Sequence, residues 1–145
     1  MRTSQNPDIE HILAHCRTIA VVGISPKPER PSFYVSQYMQ SHGWRIIPVN
    51  PNANTAEILG EKVYASLTEA ALHEPIELVN CFRNSADIPP IADEAIRIGA
   101  KALWMQEGIT HEPSAVKCRA AGLRVVQDKC LKIELARLQN LSTSR

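Results

Sequence analysis

Five short stretches of this 145-residue chain hold residue types suited to binding phosphates and a nucleobase, and each lies just past an apolar run. They are Gly23-Ile24-Ser25-Pro26-Lys27, Asn50-Pro51-Asn52, Phe82-Arg83-Asn84-Ser85, Gln106-Glu107-Gly108-Ile109 and Asp128-Lys129-Cys130. Together they offer a glycine for close backbone approach, hydroxyls and amides, three cations and an aromatic ring. Lys27 and Arg30 fall in a loop long enough to wrap a phosphate. Ser32 adds a hydroxyl at the start of a helix, where backbone N–H groups have no partner within the helix. Such a set binds anions.

What these stretches lack narrows the ligand. A dinucleotide fingerprint needs G-x-G-x-x-G and an acidic residue at the end of the second strand to hold the ribose hydroxyls. Here Ser25 stands in place of the second glycine, and the second strand ends in Asn50. A ligand richer in phosphate than NAD is favoured. The G-x-x-x-x-G-K-S/T loop of ATP hydrolysis is also missing. None of the histidines, His11, His15, His42, His73 and His111, neighbours a Ser or Cys in a catalytic pattern, so surface or capping roles are expected of them. Cys16, Cys81, Cys118 and Cys130 are irregularly spaced, with no C-x-x-C pair, which argues against a disulfide scaffold and a structural zinc site. Cys130 differs from the others in that it falls in the first turn of a helix beside Lys129, where dipole and cation stabilise a thiolate.

The elements that must position these groups are legible from the glycines. Gly43, Gly99 and Gly122 each end a helical pattern and lead straight into an apolar run, the helix-to-strand half of a βαβ unit. Gly23 and Gly108 mark strand exits. The pattern predicts a five-stranded parallel sheet at 18–23, 44–49, 77–82, 101–106 and 123–127, preceded by a short helical or frayed lead at 8–16. Between the strands, Ser32 is expected to cap one helix, Asn84 or Ser85 a second and Asp128 the last, while Pro113 starts another that ends at Ala121. The segment from Pro51 to Ala65, rich in Asn and Pro, reads as a long insertion crossing the rim. The fold class is therefore α/β, a single Rossmann-like domain over residues 8–139 with helices on both faces and free ends at 1–7 and 140–145. In such a sheet ligands sit beyond the carboxyl ends of the strands, where the strand order reverses.

Composition sets outer bounds. With 44% apolar and 21% charged residues and a net charge of +1, the chain can bury one core, and it carries no basic stripe of the kind that grips nucleic acid. No run approaches the length needed to cross a bilayer, and the start has no signal-peptide pattern, so a cytoplasmic protein is expected, with neither membrane nor nucleic acid as partner.

The segments 23–32, Pro48-Val49-Asn50-Pro51, Phe82-Arg83-Asn84, 104–109 and 125–130 resemble the small stand-alone CoA-binding proteins. That family is similar to the N-terminal CoA-binding domain of the succinyl-CoA synthetase alpha subunit. The resemblance covers residues 10–138 and implies a fold that holds coenzyme A across the strand ends. It implies that Gly23, Ile24, Ser25, Pro26 and Lys27 hold phosphate, with Arg30 and Ser32 completing the basic loop. Asn50 and Pro51 would line the pocket, Phe82 and Arg83 would flank the adenosine, and Gln106, Glu107 and Gly108 would close the far wall. Two positions depart from the family's usual pattern: Asn80-Cys81 where an Asp usually precedes the aromatic–Arg pair, and Lys129 where Arg is usual. The ligase's second domain, with its phosphohistidine and thioester chemistry, has no counterpart here, so the expectation is binding of coenzyme A or an acyl-CoA without catalysis. The alternatives are a small NADP-dependent oxidoreductase, whose 2′-phosphate would suit Lys27 and Arg30, and a CoA-linked redox or regulatory protein acting through Cys130 or Cys81.

Overall fold

The computed structural model describes residues 6–143. Helix α1 (Pro7–His15) opens the chain, capped by Asn6, whose side-chain oxygen accepts from the N–H groups of Asp8 and Ile9 at 2.9 and 3.4 Å. Its buried residues Ile9, Ile12 and Leu13 keep the three-to-four spacing of one helical face. The lead expected at 8–16 is thus a capped helix. Of the expected free ends at 1–7 and 140–145, Asn6 and Pro7 form the cap and first position of α1 and residues 140–143 continue the last helix, while 1–5 and 144–145 lie outside the described residues.

The five long strands are β1 (Thr18–Val22), β2 (Arg45–Val49), β5 (Leu78–Cys81), β6 (Ala102–Met105) and β7 (Arg124–Val126). They form one parallel sheet in the order β2-β1-β5-β6-β7, within a residue or two of the expected bounds. Strand residues pointing one way, among them Ile19, Val21, Ile46, Leu78 and Trp104, pack under α1, α2 (Pro31–Ser41) and α6 (Leu131–Thr143). Those pointing the other way, among them Ala20, Ile47, Val79 and Leu103, pack under α3 (Leu67–Ala71), α4 (Ile88–Arg97) and α5 (Glu112–Ala120). Burial on both faces explains why the strands read as continuous apolar runs rather than alternating ones.

The structure departs from expectation at three helix starts and one loop. Ser32 is not the cap of α2. Arg30 holds that position with no side-chain hydrogen bond, and the Ser32 hydroxyl, two residues further in, accepts from the Ser25 N–H at 2.9 Å. Neither Asn84 nor Ser85 caps α4 with its side chain, because a single 3₁₀ turn, Ser85–Asp87, runs directly into that helix. The Ser85 hydroxyl instead accepts from the Thr110 N–H at 3.0 Å. Asp128 does not cap α6 either; it turns its carboxylate to the Gly108 N–H at 2.7 Å, and the side-chain oxygen of Gln106 takes the Leu131 N–H at 3.1 Å. Within the insertion at 51–65, where no element was expected, β3 (Glu57–Ile58) and β4 (Glu61–Lys62) form a hairpin whose two-residue turn, Leu59 and Gly60, has positive φ at both positions. That geometry matches the strands' right-handed twist, and the hairpin delivers Ile58 into the core.

Candidate ligand-binding site

The strand order marks where a candidate site lies. From β1 the chain passes to β2 on one side and later returns to β5 on the other, so the order reverses between β1 and β5. Gly23 leaves β1 and Phe82-Arg83 leave β5 at that point, joined by the Phe82 N–H donating to the Val22 carbonyl at 2.9 Å. Gly23 has φ +89°, and a Cβ there would lie 2.8 Å from both the Phe82 carbonyl oxygen and the Arg83 Cδ. Only glycine lets the β5 exit cross this closely, on conformational and on steric grounds.

Beyond Gly23 the chain forms a loop tied down from inside. The Ile24 side chain is fully buried, and its carbonyl accepts from the Asn50 side-chain amide at 2.8 Å. The Asn50 oxygen in turn accepts from the Asn52 N–H at 2.8 Å. Asn50 is thus the staple between the β1 and β2 exits. The Ser25 hydroxyl accepts from the Lys27 N–H at 3.1 Å, and the Arg30 N–H donates to the Lys27 carbonyl at 3.0 Å. Ser32 is buried and its hydroxyl is used within the loop. These bonds hold the backbone and leave Pro26, Lys27 and Arg30 exposed. Neither Lys27 nor Arg30 has an ion-pair partner among the described residues, and the α2 start beside them lacks a side-chain cap.

Two cavities flank Arg83, which lines both. The larger, about 470 Å³, opens between the starts of α2 and α6 and brings Phe82, Arg83, Gln106 and Glu107 together with Tyr34 and Cys130. The smaller, about 280 Å³, lies toward β2 and α4 and gathers Gly23, Asn50, Pro51 and Arg83 with the carboxylates Asp87 and Glu94. Arg83 pairs with Asp87 at 3.2 Å. Gly108 stands outside both cavities, where its N–H anchors the Asp128 loop. Gln106 is buried, and its side-chain oxygen is spent on α6.

Reading only the residues just past each strand missed Tyr34, Lys132 and the two carboxylates. Tyr34 and Val35 sit three and four residues after Pro31 and so share its helix face, which turns toward the larger cavity. Lys132 lies over the rings of Tyr34 and Tyr38, 5.5 and 5.2 Å from their centroids. The helix spacing held the signal for Tyr34; nothing local marked Asp87 or Glu94.

The thiols differ in access. Cys81 is wholly buried, and that burial pushes its thiol up, so it presents no thiolate. Cys130 is buried but lines the larger cavity. Asn80, on the α1, α2 and α6 side of the sheet, sits two residues before Phe82 and in register with Val21 and Trp104. Its side-chain oxygen is the one buried side-chain oxygen or nitrogen without a hydrogen-bond partner among the described residues. The Trp104 indole, in contrast, donates to the Lys129 carbonyl at 2.8 Å and is fully buried. Among the described residues no three His, Cys, Asp or Glu side chains gather as a metal site, and no helix is long and apolar enough to cross a membrane.

Comparison with known proteins decides the family. The model of the family described as CoA binding domain matches residues 17–136. The chain belongs to that family. This CoA-binding domain is 40% identical over 132 residues to the protein YneT of Bacillus subtilis (strain 168), covering 89% of this chain and 95% of YneT. A solved structure of a hypothetical protein from Pyrococcus horikoshii OT3 superposes with a TM-score of 0.84 at 34% identity, over 96% of this chain and 99% of the other. The dinucleotide-forming acetyl-coenzyme A synthetase 1 of Ca. Korarchaeum cryptofilum contains the same fold, with a TM-score of 0.66 at 21% identity, over 79% of this chain and 26% of the synthetase. The expected five-stranded Rossmann-like domain and the expected family both hold.

Proposed function

We propose that this protein binds coenzyme A or an acyl-CoA at the carboxyl rim of its sheet and carries out no chemistry on it. The observation that carries the reading is the pair Lys27 and Arg30, without ion-pair partners among the described residues, beside an uncapped helix start at the strand-order reversal. Two cations at the positive end of a helix suit a ligand with a diphosphate and a further phosphate, because each charge-assisted hydrogen bond to phosphate is about twice as strong as a neutral one. The Gly23 crossing holds the loop and Arg83 in one frame, so the donors are arranged before the ligand arrives. Arg83 lines both cavities, so its guanidinium can reach a phosphate lying between them. Asn50 and Gln106 act in this reading as staples rather than contacts, since their side-chain oxygens are already bonded within the protein.

The test is thermal shift and calorimetry with coenzyme A and with dephospho-CoA. Tighter binding and a larger shift with coenzyme A are expected. Equal stabilisation by both compounds removes the role given to the basic loop, and no binding of either removes the function.

A further inference from the structure

Among the described residues four large apolar side chains are markedly exposed: Tyr34, Leu72, Val116 and Ile133. Leu72 and Val116 are far apart in sequence and line neither rim cavity, whereas Tyr34 and Ile133 both line the larger one. Scattered exposed apolar residues need no explanation, but two converging on one concave site mark a binding surface. The cavity continues inward over Val35, Phe82 and Cys130, all buried or partly so. Its charged groups sit toward the outside: Glu107 is exposed, and Arg83 and Lys132 reach it from the β5 exit and from α6. At about 470 Å³ it falls within the size range of sites for small organic ligands. The smaller cavity has apolar lining too, from Val49, Leu67 and Ile91, and differs in charge: two carboxylates, Asp87 and Glu94, face it, where Arg83 and Lys132 face the larger one.

We infer that the cavity between α2 and α6 receives the acyl chain of an acyl-CoA, so that the ligand of this protein is a thioester rather than free coenzyme A. The inference rests on the reading above and names the ligand class of that same site. Free coenzyme A ends in a small thiol and would leave the apolar surface of Tyr34 and Ile133 in water. An acyl chain covers it, and the ligand's anionic end faces the cations. Each methylene buried contributes about a fourfold gain in affinity, so affinity rises with chain length until the cavity is full.

Calorimetry on the full chain with coenzyme A, acetyl-CoA, butyryl-CoA and hexanoyl-CoA tests it. The expected result is measurable binding of coenzyme A and at least tenfold tighter binding of hexanoyl-CoA. Ile133→Asn, at a site open to solvent, is expected to reduce the ratio of hexanoyl-CoA to coenzyme A affinity severalfold. Equal affinities across the wild-type series, or a ratio untouched by Ile133→Asn, overturn the acyl pocket and leave coenzyme A binding standing. Failure of every compound to bind overturns both.

Discussion

The two rims of the sheet carry the same kinds of cation and use them oppositely. At the amino rim Arg124 pairs with Asp8 at 2.9 Å, Lys101 with Glu77 at 3.5 Å, and Arg45 with Glu74 at 2.7 Å. Arg17 donates to the carbonyls of Leu13 and Cys16 at the end of α1. At the carboxyl rim Lys27 and Arg30 have no such partners among the described residues, and Arg83 has only Asp87. The cause lies in chain direction. In a parallel sheet the helices end at the amino rim, where their carbonyl ends attract cations, and begin at the carboxyl rim, where their N–H ends attract anions. A cation placed among N–H donors gains nothing from the helix dipole. Its retention there makes sense toward an anion from outside.

Glycine replacement should break this comparison most visibly. Gly23→Ala forces a methyl to 2.8 Å from a backbone carbonyl at φ +89°. It should destabilise the protein by about 2–4 kcal/mol in urea denaturation and abolish coenzyme A binding. Gly122→Ala at the amino rim, with φ +97° but open space around it, should cost only the backbone strain of about 1–2 kcal/mol and leave binding intact. Equal costs at the two glycines would show that the Gly23 crossing is not tight.

Cation removal comes next. Lys27→Ala and Arg30→Ala should each weaken coenzyme A binding by about tenfold in calorimetry, with stability unchanged to within about 0.5 kcal/mol. Arg124→Ala should leave binding unaltered. A loss of affinity from Arg124→Ala, or none from the loop variants, would erase the functional distinction between the rims.

Glu77 offers a smaller, pH-dependent test. Its carboxylate accepts from the N–H groups of Arg17 and Thr18 at 2.7 and 3.0 Å. The bond from Arg17, more than any other contact, holds its pKa below the ordinary glutamate value. A depressed folded-state pKa adds stability above the unfolded-state pKa and loses it as pH falls through the folded one. The wild type should therefore exceed Glu77→Gln by about 1 kcal/mol at pH 6, and the gap should close toward pH 3. A gap that does not vary between those pH values would mean the carboxylate charge plays no part.

The smallest effect concerns the carboxyl rim's own ion pair. Asp87→Asn frees Arg83 and should raise affinity for coenzyme A about twofold, with almost no change in stability, because an exposed pair contributes little. Weaker binding in that variant would instead make Asp87 an orienting group for Arg83.

Much of this fold can be read from local pattern, since glycine-terminated helices leading into apolar runs are nearest-neighbour signals. The same locality explains the misreadings. Ser32, Ser85 and Asp128 are all good helix caps by type, yet the partners that claim them are remote: Thr110 lies 25 residues from Ser85, and Gly108 lies 20 from Asp128. Ser32 lost its capping role because Pro31, with φ preset and no N–H to satisfy, already begins the helix. The hairpin at 57–62 escaped notice because its strands are two residues long, too short for any alternation to register.

From the sequence alone follow the kinds of element, their order, and the loops that face the carboxyl rim, because each depends on periodicity and end signals within about a dozen residues. The folded chain decided that β5 lies beside β1, and hence that Gly23 meets Phe82 and Arg83. It also decided that Glu77 and Asp8 neutralise the cations of one rim, the second pair spanning 116 residues of chain, while Lys27 and Arg30 keep their charge open. Strand order and charge pairing are set by contacts between distant segments, and no local pattern encodes those.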